Sequence, residues 1–227
     1  MIKLTWLGHS TWLMETGKYR LLLDPFFTDN PSATAKPEDF GNITHVLISH
    51  GHFDHVADAA AVVKANDATL VAIFDIAQWF GREHGIENAV GMNIGGSVST
   101  PFGSIKMVPA LHSSVLPDGS SGGDPAGYVI TIGVQRIYFA CDTAFYSDME
   151  YYAHGVDVAV LPIGDLFTMG IEDSIAATKL IEPKHVVPAH YNTWPPIEQD
   201  AEAWAQRVRH ETSARPVVLQ VGGSLEL

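Results

Sequence analysis

Four residues able to bind a metal fall within six positions, His50-Gly51-His52-Phe53-Asp54-His55, directly behind the apolar run Val46-Leu47-Ile48. Neutral imidazole and ionised carboxylate are the donors that divalent cations take. Three more residues of the same kind, His112, Asp142 and His190, each close a strand-like run further along. In an extended turn, positions i and i+2 point the same way, so His50 and His52 can grip one ion. The chain then bends into a helix and turns Asp54 and His55 toward a neighbouring ion. His112 can complete the first site and His190 the second, while Asp142, with two oxygens, can bridge both. Two ions about 3.5–4 Å apart can share a hydroxide that attacks while the metals stabilise the developing oxyanion. Asp54 is placed to orient that hydroxide or move its proton. The chemistry is hydrolytic, on a small ester, lactone, amide or phosphodiester.

Isolated histidines are more often structural or exposed than ligating, and His45, His84, His154, His185 and His210 are read that way. The lone cysteine, Cys141, excludes both an intrachain disulfide and a Cys-rich zinc site, and fits a reducing compartment. The metals must therefore sit on imidazole and carboxylate.

Net charge is −13, which argues against nucleic acid as a partner, because such binding needs clustered Lys and Arg. None of the 13 basic residues lies in 37–63, 107–135, 137–178 or 185–206, the windows that hold the ligands. The metals would then be the main positive charges in the site, and neutral or singly charged small molecules should be preferred over polyanions. No apolar run approaches the roughly 18–20 residues that span a bilayer, and the N-terminus breaks too early for a signal peptide. The expectation is a cytoplasmic protein with no membrane partner. The Phe26-Phe27 loop is compatible with a homo-oligomer.

At 227 residues, 46% hydrophobic, with mean hydropathy +0.09, the chain is expected to form a single domain over 1–227. Alternation predicts strands over 2–7, 11–15 and 19–23, with Gly17-Lys18 as a hairpin turn, and a strand near 44–48. Helices are expected over 58–65 and 75–84, and a strand over 70–73 between them. Strands are then read at 97–100, 104–109, 127–132 and 136–140, with 112–125 as a surface loop of the kind that carries function. The last stretch reads as strand 156–161, helix 172–181, strand 185–188, helix 197–211 and strand 216–221. Each half gives strands first and helices later, with ligands at strand ends. Two packed sheets with helices outside would bring those ends to one edge, an α/β (α+β) four-layer αββα sandwich.

His50-Gly-His52-Phe-Asp54-His55 resembles the HxHxDH motif of the metallo-β-lactamase superfamily, and His112, Asp142 and His190 match its later ligand positions in order. Within it, the chain is similar to uncharacterised metal-dependent hydrolases related to L-ascorbate-6-phosphate lactonase, through segments such as Trp6-Leu7-Gly8-His9-Ser10, Phe167-Thr168-Met169-Gly170 and Pro188-Ala189-His190-Tyr191-Asn192. The resemblance implies two divalent metals, zinc or manganese foremost, with nickel or iron as alternatives. It implies no substrate. Asp24 matches an early strand-end Asp that supports a ligand histidine, as an imidazole N–H needs an acceptor. Cys141 departs from the pattern, standing where these relatives usually have Gly. Strand alternation would turn its thiol away from the metals. His9 is a candidate for the substrate pocket, with Asp165, Thr168 and Met169 on one loop and Tyr191 and Asn192 on another. The competing readings are a mononuclear iron sulfur dioxygenase and a non-catalytic metal-binding protein.

Overall fold

The computed structural model describes residues 1–227 as two compact units. The first comprises Met1–Ile94, Ser113–Pro125 and Gln220–Leu227, and the second Gly95–His112 and Ala126–Leu219.

In the first unit, β1 (Ile2–Trp6), β2 (Trp12–Thr16) and β3 (Tyr19–Leu23) form an antiparallel meander. β1 alternates buried and half-buried residues, as a strand with one covered face should. β4 (His45–Leu47) then pairs parallel to β3. The short α1 (Phe53–Val56) and α2 (Ala59–Asn66) follow, and β5 (Thr69–Ile73) extends the parallel side. α3 (Phe74–His84) buries Ile76, Ala77, Trp79 and Phe80 against β5 and β6 (Ala89–Met92). Ile76 and Phe80 each contribute roughly 1.5–3 kcal/mol by leaving water. Gly85, at φ 64°, ends that helix in the left-handed conformation glycine adopts without strain.

The second unit repeats the plan. β7 (Ser97–Thr100), β8 (Gly103–Pro109), β9 (Ala126–Ile132) and β10 (Gln135–Phe139) are antiparallel neighbours. After α4 (Met149–Ala153), β11 (Val158–Pro162) pairs parallel to β10. Every β11 residue is buried, as expected for a strand covered on both faces. α5 (Ile171–Ile181), β12 (His185–Ala189), α6 (Ala201–Glu211) and the two-residue β13 (Arg215–Pro216) complete this sheet. The chain returns to the first unit as β14 (Ser224–Glu226), antiparallel to β1. Each sheet therefore has seven strands, antiparallel on one side and parallel on the other.

Several expected boundaries differ. The helix read over 197–211 begins at Ala201, because Pro195-Pro196 open a separate 3-10 turn and the Asp200 side chain caps Ala203 N–H at 2.9 Å. The strand expected over 216–221 is reduced to Arg215–Pro216. The strands β6 and β14 and the helix α4 are additional to the sequence reading; all three are three to five residues long, too short to show a period. Asp58 does not cap α2 with its side chain; it accepts from Phe27 N–H, Thr28 N–H and the Thr28 hydroxyl, tying down the loop after Asp24. Phe26 and Phe27 are buried, with Phe27 stacked on Phe40 at 4.9 Å, so neither ring is an exposed patch.

Candidate metal centre

The residues expected to ligate metal fall into two sets, one in each unit. In the first unit, β3 ends at Leu23 and Asp24 takes a left-handed φ of 45°. Such a conformation costs a non-glycine residue about 1–2 kcal/mol. The Asp24 side chain accepts three hydrogen bonds, fully buried: Oδ1 from Ser49 N–H at 2.8 Å, and Oδ2 from the Ser49 hydroxyl at 2.6 Å and His55 Nδ1 at 2.8 Å. Burial pushes the Asp24 carboxyl above its ordinary value, and His55 and Ser49 pull the other way.

These contacts fix the imidazole tautomers by proton counting. With Nδ1–H given to Asp24, His55 turns Nε2 into the cluster, 3.6 Å from Asp54 Oδ2. Ser49 has spent its one proton on Asp24, so at 3.0 Å it accepts from His50 Nδ1–H. His50 therefore presents a lone pair at Nε2, facing His52 Nδ1 at 2.9 Å. The His50 and His55 rings lie 4.0 Å apart. Acceptor nitrogens drawn together in a buried cluster, with a carboxylate beside them, fit a divalent cation.

Asp54 lies in the first turn of α1, with His52 as the extended residue before the helix. Its Oδ2 is 3.0 Å from His9 Nε2, and the ligand atoms of His9, Asp54 and His55 all lie within 4.8 Å of one another. His9, at φ 51°, has no solvent exposure, and its carbonyl accepts from Trp6 Nε1 at 2.9 Å. Its ring is fully buried beside Asp54.

In the second unit, Asp142 Oδ2 lies 2.9 Å from His190 Nε2 and 3.8 Å from His112 Nε2. One carboxylate oxygen thus faces two imidazoles, and both Asp142 and His190 are buried. His190 follows β12 at φ 52°, a second strand-end residue in the left-handed region. Cys141 is a third, at φ 56°. Its thiol is buried, 3.7 Å from the Phe139 carbonyl. Alternation does not decide where that thiol points, since the chain has left the extended conformation at this position. A positive φ is the conformation that glycine adopts without strain.

Among the other candidates, Asp165, Thr168 and Asn192 are accessible, whereas Met169 and Tyr191 are buried. Met169 ties its loop to the strand end: its N–H donates to Thr143 O, and its carbonyl accepts from Asp165 N–H. Burial pushes the Tyr191 phenol up to about 12. The Asn192 side chain accepts from Gln199 N–H at 2.7 Å, which makes it a turn former. Sequence reasoning missed Ser49, Ser113 and Ser114. A serine before His50 was the only available signal, since serine is common at strand ends for many reasons.

Comparison with known proteins identifies the family. Residues 19–191 match the family described as Beta-lactamase superfamily domain. A UPF0173 metal-dependent hydrolase of Thermus thermophilus is 46% identical over 212 residues, 93% of each chain. One from Pyrococcus furiosus is 41% identical over 231 residues, covering both chains fully. Among solved structures, Igni18, a metallo hydrolase of Ignicoccus hospitalis, is 33% identical with a TM-score of 0.89, over 100% of this chain and 99% of its own.

Proposed function

Because the chain belongs to the metallo-β-lactamase superfamily, among its UPF0173 metal-dependent hydrolases, we propose that it hydrolyses a small neutral or singly charged ester, lactone, amide or phosphodiester with two divalent cations. His50, His52 and His112 would hold one cation, Asp54, His55 and His190 the other, and Asp142 both. When bound, such ions polarise the scissile oxygen and acidify a water molecule. The observation that carries this reading is the proton count around Ser49 and Asp24, which turns His50 and His55 into acceptors at Nε2.

The chain's own residues supply the rest. Asp24 and Ser49 orient the imidazoles, and His9 holds Asp54, whose carboxylate takes the proton from the attacking water. The lack of Lys and Arg in the ligand-bearing windows disfavours polyanionic substrates and nucleic acid. Alignment of relatives over the whole chain supports one hydrolase domain over 1–227. Imidazole and carboxylate donors suit zinc or manganese, and the single cysteine suits the cytoplasm.

Metal analysis of protein purified without added metal, followed by an ester, lactone and phosphodiester panel, tests the proposal. Two equivalents of metal and turnover that Asp54→Asn abolishes are expected. One equivalent, or a clear preference for a sugar phosphate or nucleic acid, would overturn the corresponding part.

A further inference from the structure

The loop over 113–125 belongs to the first unit, and its contacts converge on the His50-Gly51-His52 turn. Ser114 Oγ accepts from Gly51 N–H at 3.0 Å, and Ser113 Oγ lies 3.2 Å from His52 Nε2. Leu116 packs on Gly51 so closely that a Cβ there would meet Leu116 Cγ at 3.1 Å and its N at 3.3 Å. On the other flank a Cβ at Gly122 would meet Ser114 Oγ at 2.5 Å. A side chain at Gly122 would displace the Ser114 hydroxyl, and one at Gly51 would press on Leu116.

The loop has its own scaffold. Gly122 N–H donates to Ser114 O at 2.8 Å, Leu116 N–H to Ser120 O at 2.9 Å and Gly119 N–H to Leu116 O at 2.8 Å. Its tip is fastened to α3, where Trp79 Nε1 donates to Asp118 Oδ2 at 2.7 Å. Bonds from the Ser120 hydroxyl, from Ser120 N–H and from Trp79 hold the Asp118 carboxyl down to about 2, so the fastening persists at working pH.

We infer that this loop is a clamp on the His50-Gly51-His52 turn, in which Ser114 locks the Gly51 backbone and Ser113 sets the His52 ring. A serine hydroxyl both donates and accepts, so Ser113 suits either tautomer of His52. Were His50 and His52 to hold a cation, Ser113 would keep the His52 ring in place whichever ring nitrogen carries its proton. Ser113 and Ser114 are therefore positioning residues. This inference rests on the proposed ligand role of His52.

Three readouts test the clamp: cobalt(II) titration followed by visible absorption, ¹⁵N NMR of the histidine rings, and hydrogen exchange at the Gly51 amide. Ser114→Ala should speed Gly51 exchange and weaken cobalt binding about 10-fold, the size expected when a partner behind a ligand is lost. Ser113→Ala should leave Gly51 exchange unchanged, weaken cobalt binding similarly and alter the His52 ¹⁵N shifts. Trp79→Phe keeps the ring but removes the bond to Asp118, and should speed exchange across 114–122. Wild-type cobalt affinity and Gly51 exchange in Ser114→Ala would overturn the clamp. Absence of cobalt uptake by the wild type would overturn the metal reading instead, and Gly51 exchange alone would then decide the clamp.

Discussion

His9 Nε2 lies 3.0 Å from Asp54 Oδ2, with the His9 ring shut off from solvent and both residues held by local structure, a left-handed backbone at one and a helix start at the other. One oxygen of a buried carboxylate thus faces His9 Nε2, with His55 Nε2 3.6 Å from the same atom.

His9→Ala should lower kcat about 10–100-fold, the usual cost of losing a partner behind a reactive group, while a second donor of similar reach in His9→Gln restores part of it. Steady-state kinetics on the first substrate found by the panel gives the answer. An unchanged kcat in His9→Ala would remove His9 from the mechanism.

Asp24→Asn keeps an acceptor at Oδ1 but weakens the partner of His55 Nδ1–H, and should reduce metal affinity by about 10–100-fold. Competition with a chromophoric chelator measures this. Asp24→Ala should also lower Tm, since Ser49 N–H and the Ser49 hydroxyl lose a buried acceptor.

Metal occupancy should fall as pH drops through about 6.5, because protons compete for the imidazole nitrogens, and tight binding pushes the loss lower. Dialysis at stepped pH followed by elemental analysis checks it. Occupancy unchanged at pH 3 would show that the ions are not held by histidine.

Cys141→Gly should keep stability within about 1 kcal/mol of wild type, relief of the positive φ offsetting the added freedom of the unfolded chain. Cys141→Val should lose about 2 kcal/mol or more, since a β-branched residue is strained there. Thermal unfolding gives the order, and valine equal to glycine would contradict the backbone argument.

Asp157 is only partly buried; burial raises its carboxyl, but the Lys184 ammonium and Arg136 N–H outweigh this and leave it below 3.8. A folded value below the unfolded one stabilises the protein above the unfolded value, and this is lost as pH falls through the folded value. Asp157→Asn should therefore cost about 1 kcal/mol at neutral pH, or about 2–4 °C in Tm. Its Tm should approach that of wild type below about pH 3.8, the unfolded value.

Much of this was readable in short windows. The alternation of β1 and the apolar stripe of α3 are local periodicities, and both elements appear close to where the pattern puts them. The shortest elements carry no period. The loop at Phe26-Phe27 misled for another reason: two adjacent phenylalanines look exposed in a loop until Asp58, 30 residues on, binds Thr28 and folds the segment inward.

By itself the sequence determined which residues can hold metal, because donor chemistry belongs to residue type and the HxHxDH spacing lies within one turn and the start of one helix. Tertiary structure decided how those donors are protonated and held. Asp24 reaches His55 across 31 positions, His9 reaches Asp54 across 45, and Ser114 reaches Gly51 across 63. No local pattern encodes such pairs. They exist because strand ends in the left-handed conformation and a loop seated on glycine bring single polar atoms within about 3 Å of one another, where burial makes each hydrogen bond costly to leave unmade.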